Sequence, residues 1–77
     1  MFPGFREISA RRAEFLAEII DCRRRSGLSQ TEVAARMGTS QSAVARLEAG
    51  AGDVRLSTLE RYAAALDVEL HWELRGR

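Results

Sequence analysis

Residues 38–50 read GTSQSAVARLEAG, a stretch of helical length enclosed by two glycines. Its apolar residues Val44 and Leu47 are three positions apart, which predicts a short helix that packs on a core through one stripe. Ser40 occupies the position of a serine N-cap, where its side chain would start that helix. The stripe leaves the other side chains of the helix facing outward: Gln41, Ser42, Ala45 and Arg46.

A second helix is predicted immediately before it, in the stretch LSQTEVAARMG that ends at Gly38. Ser29 and Glu32 have the S-x-x-E spacing of a capping box. Val33 and Met37 are four positions apart and form an apolar stripe, and the glycine ends the helix. The connection MGTS leaves room only for a tight turn, which is the spacing of a helix-turn-helix.

In a helix-turn-helix the second helix lies in the major groove of DNA, with its first residues at the base edges. Gln41 would pair with adenine and Arg46 with guanine, each through two hydrogen bonds. Ser42 would bond to a base or a phosphate, and the methyl group of Ala45 would touch a thymine methyl. The N-termini of both helices suit phosphate oxygens, and Gln30 would add a side-chain contact there.

A preceding helix is predicted from an N-cap at Ser9 to about Arg25, with Gly27 as its stop signal. Leu16 and Ile20 form a second stripe, which either widens the core face or marks a contact surface; we favour the contact surface. The core face, with residues spaced by four and three positions, carries Phe15, Ile19 and Cys22.

A further helix follows the connection AGAGDVR. Ser57 and Glu60 repeat the S-x-x-E spacing and predict a second capping box. Asp67 occupies the position after the helix at which glycine is usual. The predicted core stripe of this helix consists of Leu59, Tyr62, Ala63 and Leu66.

The stretch VELHWEL, at about 68–74, changes to a two-residue period and predicts a β-strand. A lone strand leaves its backbone groups unpaired, so it needs a partner. Residues 5–8 (FREI) are one candidate, and the same strand of a second copy is the other. We favour the second copy, because it would also bury the larger side chains of the apolar face: Val68, Leu70, Trp72 and Leu74.

Composition excludes several functional classes. The chain has 77 residues and a net charge of +1, which fits one small domain over 1–77 and leaves nucleic-acid binding open. Cys22 and His71 are the only cysteine and histidine, so we expect no metal site, no disulfide framework and no nucleophile with its base. We therefore expect a protein that is not an enzyme and has no cofactor. Without an apolar leader or spanning segment, we expect it to be cytoplasmic and to bind no membrane.

The segment RRRSGLSQTEVAARMGTSQSAVARLEAG is similar to the pattern of the Cro/CI-type (XRE) helix-turn-helix family. The resemblance covers residues 23–74 and implies a helix-turn-helix at about 29–48. It further implies an ion pair between Arg23 and Glu48 that ties the first helix to the end of the third. The DNA contacts that it implies are to the backbone for Gln30 and Ser40, and to the bases for Gln41, Ser42 and Arg46. Arg55 is the one cation of the following connection, and we assign it to the DNA backbone.

A fourth helix followed directly by a strand resembles the antitoxin repressors of the HigA and HipB type, especially the latter. This resemblance implies an all-α, four-to-five-helix lambda-repressor-like DNA-binding domain with a C-terminal β-strand that pairs across a homodimer. The function implied is a repressor of a pseudo-palindromic operator in double-stranded DNA. We favour the antitoxin of a type II toxin–antitoxin pair that binds a cognate toxin and autoregulates its operon. The alternatives are a stand-alone XRE-type regulator and a protein-interaction module that has lost DNA binding.

Overall fold

The computed structural model describes the backbone of residues 3–52 and 54–70, and the side chains of residues 12–52 and 54–70. The described residues form helices and contain no strand, which confirms the all-α class. Helix α2 packs against α3 and α4, and α1 packs against α3. The four helices are α1 (Pro3–Arg25), α2 (Gln30–Met37), α3 (Gln41–Glu48) and α4 (Leu56–Ala65).

Helix α1 begins earlier than the sequence indicates. It starts at Pro3, so the prediction of an N-cap at Ser9 is wrong. Proline is favoured at the first position of a helix, because its fixed φ fits the helix and its missing N–H would have had no partner there. Residues 5–8 lie inside α1. They are therefore not the strand that was considered as a partner for the C-terminal segment.

The predicted caps of α2 and α3 are confirmed. The hydroxyl of Ser29 accepts a hydrogen bond from the backbone N–H of Glu32 at 3.0 Å, and the Glu32 carboxylate accepts one from the backbone N–H of Ser29 at 3.1 Å. Gly38 ends α2 with a φ of +71°, a left-handed conformation that glycine adopts at little cost. The hydroxyl of Ser40 then caps α3. These caps fix the tight turn between the two helices.

The N-cap of helix α4 lies two residues before the predicted one, Ser57. The helix starts at Leu56, and its N-cap residue Arg55 makes no side-chain capping bond. Ser57 therefore lies within the first turn, and the capping box predicted with Glu60 is wrong. An N-cap residue needs an extended backbone, and here Arg55 is the residue with that conformation (φ −83°, ψ 147°).

The core contains the apolar residues predicted for α2, α3 and α4. Leu16 also belongs to it, at 8% exposure, so the preference for a contact surface at this residue is wrong. The reason is the close approach of the α3–α4 connection, where a Cβ on Gly50 would lie 2.9 Å from Leu16 Cδ1. Ile20, Phe15 and Cys22 are half-buried. The largest fully buried side chains are Tyr62, Val33 and Val44.

Two arginines join α2 and α4 reciprocally. Arg36 of α2 donates a hydrogen bond to the carbonyl oxygen of Ala65 at 2.9 Å, and Arg61 of α4 donates one to the carbonyl oxygen of Met37 at 2.5 Å. The last carbonyls of a helix have no partner within the helix, and a cation also suits the negative end of the helix dipole. Each helix therefore supplies an arginine that donates a hydrogen bond to an unpaired carbonyl oxygen at the C-terminal end of the other helix.

After α4 the chain turns at Asp67, whose φ is +63°. The backbone N–H groups of Asp67 and Val68 bond to the carbonyl oxygens of Ala64 and Ala63, each at 3.0 Å. The sequence places Asp67 where glycine usually ends a helix, and the structure shows the left-handed backbone that glycine favours there. Aspartate tolerates this conformation better than most residues. None of the helices in the described part of the chain is long and apolar enough to cross a membrane.

Candidate nucleic-acid interface

The outward face of α3 exists because its opposite side is buried. Val44 and Leu47 are 1% and 6% exposed and lie in the hydrophobic core. Because residues three or four apart share one side of a helix, this burial turns the opposite side of α3 toward solvent. The polar residues there are exposed and Ala45 is half-buried; the exposed set is Gln41, Ser42 and Arg46.

Two serine hydroxyls organise the first turn of α3. Ser40 Oγ accepts a hydrogen bond from the backbone N–H of Ala43 at 3.2 Å and lies 3.1 Å from Ser42 Oγ. An open cleft beside this turn is lined by both serines, by Arg46 and by Thr58 of α4. Hydroxyl and guanidinium donors next to a helix N-terminus are groups that bind phosphate oxygens or base edges.

A buried ion pair joins α1 to the end of α3. Arg23 Nε lies 2.6 Å from Glu48 Oε2, and Arg23 Nη2 lies 3.0 Å from Glu48 Oε1. The third nitrogen, Nη1, donates to the carbonyl oxygen of Leu28 at 3.0 Å. Both charged side chains are at most 10% exposed. Removing one partner of such a pair leaves a buried charge and costs about 3–5 kcal/mol.

The Glu48 carboxylate accepts two more hydrogen bonds, at 2.6 Å from the hydroxyl of Tyr62 and at 3.0 Å from Gln30 Nε2. Burial raises the pKa of Glu48, but the hydrogen bonds from Arg23, Tyr62 and Gln30 outweigh burial and hold that pKa below its usual 4.5. Burial, and then the bond to Glu48, raise the pKa of Tyr62. At neutral pH Glu48 is therefore ionised and Tyr62 is a neutral donor.

The same network extends to the outward face of α3. Gln41 Nε2 donates a hydrogen bond to Gln30 Oε1 at 2.7 Å. Gln30 thus lies between a buried carboxylate and an exposed glutamine, and its own side chain is half-buried. The structure brings together two residues that the sequence assigned separately, one to the DNA backbone and one to a base.

Arg55 lies apart from that network. It is the exposed N-cap residue of α4, at the end of the connection that follows α3. The start of this connection is held by α1, since Arg12 Nη2 donates to the carbonyl oxygens of Gly50 at 3.2 Å and Gly52 at 2.9 Å. The sequence predicts a role for Arg55 at the end of the connection, whereas the bonds of Arg12 to its start are found only in the structure.

The two capped helices α2 and α3 and the tight turn between them agree with a comparison to known families. The family model described as helix-turn-helix matches residues 19–72. The chain belongs to the helix-turn-helix family. The matched segment includes α2, α3 and α4 whole and the end of α1.

Curated relatives of this helix-turn-helix chain agree with the resemblance to HigA-type proteins. Two proteins named antitoxin HigA1, from Mycobacterium tuberculosis strains CDC 1551 and H37Rv, are each 42% identical to the chain over 69 residues. The match covers 90% of the chain and 46% of each relative, so the chain spans about half the length of the curated relatives it matches. No solved structure gives a significant match.

The predicted dimer strand is described only in part. Val68 is exposed and Leu70 is half-buried, and residues 68–70 have no strand conformation. Leu70 packs against the core. Trp72 and Leu74 lie outside the described residues, as does His71. The strand and its pairing across a dimer therefore stay a prediction.

Sequence reasoning missed the second role of Tyr62. It placed this residue in the core stripe of α4, which is confirmed at 1% exposure, but gave its hydroxyl no partner. A buried tyrosine hydroxyl normally has a hydrogen-bond partner, and a carboxylate in an ion pair keeps lone pairs free for further donors. Those two facts together could have identified Glu48 as the hydrogen-bond partner of the Tyr62 hydroxyl. Within the described side chains, no group of three or more His, Cys, Asp and Glu residues is arranged to hold a metal ion.

Proposed function

We propose that this chain is a sequence-specific DNA-binding repressor that acts as a homodimer and as the antitoxin of a type II toxin–antitoxin pair. The observation that carries the proposal is the outward face of α3, where exposed Gln41, Ser42 and Arg46 share a helix whose other side is anchored in the core. The family match and the 42% identity to antitoxin HigA1 support a regulator of this class.

In this proposal α3 enters the major groove. Gln41 pairs with adenine and Arg46 with guanine, each through the two-bond geometry that these side chains favour. Ser42 bonds to a base edge or a phosphate, and Ala45 contacts a thymine methyl. No residue from Gly38 to Arg46 is acidic, so no carboxylate in this segment repels the DNA.

Backbone contacts orient the helix in the groove. Ser40 and Gln30 lie at the starts of α3 and α2, where unpaired N–H groups favour phosphate oxygens. Arg55 adds a cation at the start of α4. Contacts of this kind fix register and orientation, whereas the side chains on α3 supply the sequence preference.

A homodimer would present two copies of α3 to successive major grooves about 34 Å apart, which requires a pseudo-palindromic operator. Pairing of the strand at about 68–74, through Val68, Leu70, Trp72 and Leu74, would hold the two copies together. Binding at a promoter would then repress transcription by excluding RNA polymerase. In the antitoxin version, the chain also binds a cognate toxin in the cytoplasm and represses the operon that encodes both.

A gel shift tests the DNA-binding part. The DNA is the region upstream of the protein's own gene, and the titration is repeated at several salt concentrations. We expect a specific complex that survives competition by unrelated duplex DNA and is lost with Gln41→Ala. Arg25→Ala is the matched control, because Arg25 lies on α1 with a side chain 73% exposed and an ion pair to Asp21.

One observation favours a second function. The net charge is only +1, which suits a protein-interaction module as well as a DNA-binding protein. If the gel shift shows no complex, or binding without sequence preference, the proposal of a sequence-specific repressor is wrong and the protein-interaction module remains. Co-purification with the product of a neighbouring gene separates the antitoxin from a stand-alone XRE-type regulator, which would bind DNA without such a partner.

A further inference from the structure

The buried carboxylate of Glu48 is connected to the exposed amide of Gln41 through one intermediate, Gln30. Gln30 Nε2 donates to Glu48 Oε1 at 3.0 Å, and Gln41 Nε2 donates to Gln30 Oε1 at 2.7 Å. The two bonds run in one direction, from the recognition helix toward the interior. A side-chain amide has a donor end and an acceptor end, so this direction determines which end of each glutamine faces its neighbour.

The direction follows from the charge of Glu48. An ionised carboxylate only accepts hydrogen bonds, so Gln30 must turn its NH₂ group toward Glu48. The carbonyl oxygen of Gln30 then faces Gln41 and also only accepts, so Gln41 must turn its NH₂ group toward Gln30. The orientation of the Gln41 amide is therefore determined by a group that has no contact with the outward face of α3.

Glu48 itself cannot turn. Both of its oxygens accept bonds from Arg23, and Oε2 accepts a further bond from Tyr62. The residue is 8% exposed, so water does not compete for these positions. Gln41 by contrast is exposed, and without the bond to Gln30 its amide would be free to turn over at little cost.

We propose that Glu48, acting through Gln30, fixes the amide orientation of Gln41 and thereby sets its preference for adenine over guanine. The proposal rests on the proposed function, in which Gln41 contacts a base. In the fixed orientation, the Gln41 carbonyl accepts a bond from adenine N6 while its NH₂ group has a second hydrogen for adenine N7. Guanine carries an acceptor, O6, where adenine carries the N6 donor, so the same orientation rejects it. Glu48 and Gln30 are positioning residues.

The first variant is Glu48→Gln, which keeps the shape of the side chain. Its amide oxygen would stay at the Oε2 position, opposite Arg23 Nε and the Tyr62 hydroxyl, and its NH₂ group would take the Oε1 position facing Gln30, where the bond from Arg23 Nη2 is lost. Gln30 and Gln41 must then both turn over, so that Gln41 presents NH₂ where its carbonyl had been. We expect the preference to move from adenine toward guanine.

The second variant is Gln30→Met, which keeps the length of the side chain and leaves the Arg23–Glu48 pair intact. Gln41 then has no fixed orientation, so its preference should be relaxed and not reversed. This variant decides the question if Glu48→Gln does not fold. Tyr62→Phe is the control, because it removes one donor to Glu48 and lowers stability, while both bonds from Arg23 still hold Glu48 and the Glu48–Gln30–Gln41 bonds remain.

The experiment is selection from a library of randomised DNA duplexes, at a temperature where circular dichroism shows each variant to be folded. The wild-type motif should contain one base pair per half-site at which adenine exceeds guanine by roughly 10- to 100-fold. We expect this ratio to invert or fall to about one with Glu48→Gln, to fall toward one with Gln30→Met, and to stay unchanged with Tyr62→Phe.

The proposal is overturned if Glu48→Gln and Gln30→Met retain the wild-type ratio, or if Tyr62→Phe reduces it as much as they do. The latter result would make the effect a consequence of lost stability. Failure of the proposed function looks different, because the wild-type chain would then enrich no motif at all.

Discussion

The contribution of the Tyr62 hydroxyl to the stability of the buried network can be measured. Tyr62 is 1% exposed and donates to Glu48 Oε2 at 2.6 Å. Tyr62→Phe keeps the ring and removes that donor. A hydrogen bond to a charged group contributes about 1.5–3 kcal/mol. Glu48 keeps its bonds from Arg23 and Gln30, so we expect a loss in that range and not the roughly 3–5 kcal/mol of a broken buried ion pair.

The same substitution has a signature at alkaline pH. The chain has one tyrosine, and all twelve of its basic residues are arginine, so near pH 10 the titrating side chain is Tyr62. Its pKa is raised in the folded state by burial and by the bond to Glu48. Below pH 10 both states keep the proton and stability is unaffected. Above it the unfolded chain loses the proton first, so the free energy of unfolding falls by up to about 1.4 kcal/mol per pH unit.

Urea unfolding followed by circular dichroism tests both parts. At pH 7 the variant should be less stable than the wild type by the stated amount. Between pH 10 and pH 11.5 the wild type should lose about 1.6 kcal/mol, while Tyr62→Phe should lose none of this component. Tyrosinate absorbance of the folded wild type should stay low over the same interval. Equal alkaline losses in both proteins, or ionisation of the folded wild type at pH 10, would refute the reasoning.

Three further predictions concern binding, the α3–α4 connection and the C-terminal segment. Arg46→Ala should weaken operator binding by about 1–3 kcal/mol and relax one base pair per half-site; a uniform loss across all sequences, measured by the same selection, would contradict its assignment to a base. Gly50→Ala should destabilise the fold by about 1 kcal/mol more than Gly38→Ala, since both have a φ of +71° but only at Gly50 does a new Cβ meet Leu16. Equal urea midpoints would contradict this steric account. Deletion of residues 69–77 should give a folded monomer in sedimentation, and a dimer would exclude strand pairing.

Local signals predicted the helix-turn-helix because its determinants are local. Ser29, Glu32 and Ser40 cap helices through bonds that span three residues, and such bonds depend on little beyond the adjacent chain. The exposed face of α3 followed from the burial of Val44 and Leu47. The buried positions and caps together were sufficient to locate the candidate interface.

At other positions local spacing was not sufficient. Ser57 has the same capping spacing as Ser29, yet α4 begins before it. The stripe of Leu16 and Ile20 favoured a contact surface, but Leu16 packs beside Gly50, which lies far away in the sequence. The bond from Gln30 to Gln41 was also not predictable from spacing, because it requires the relative placement of two helices.

Four arginines in the described part of the chain bond to acceptors on a different element or connection of the fold: Arg12, Arg23, Arg36 and Arg61. Each DNA phosphate that a cationic side chain neutralises contributes about −0.9 to the slope of the logarithm of the binding constant against the logarithm of the salt concentration. Arginines whose guanidinium groups are bonded within the protein neutralise few phosphates, so few counterions are released when the protein binds DNA. If this chain binds DNA, its affinity should therefore respond weakly to ionic strength. Bulk chromosomal DNA would compete poorly for it, and a modest number of correct base pairs would be enough to direct it to its operator.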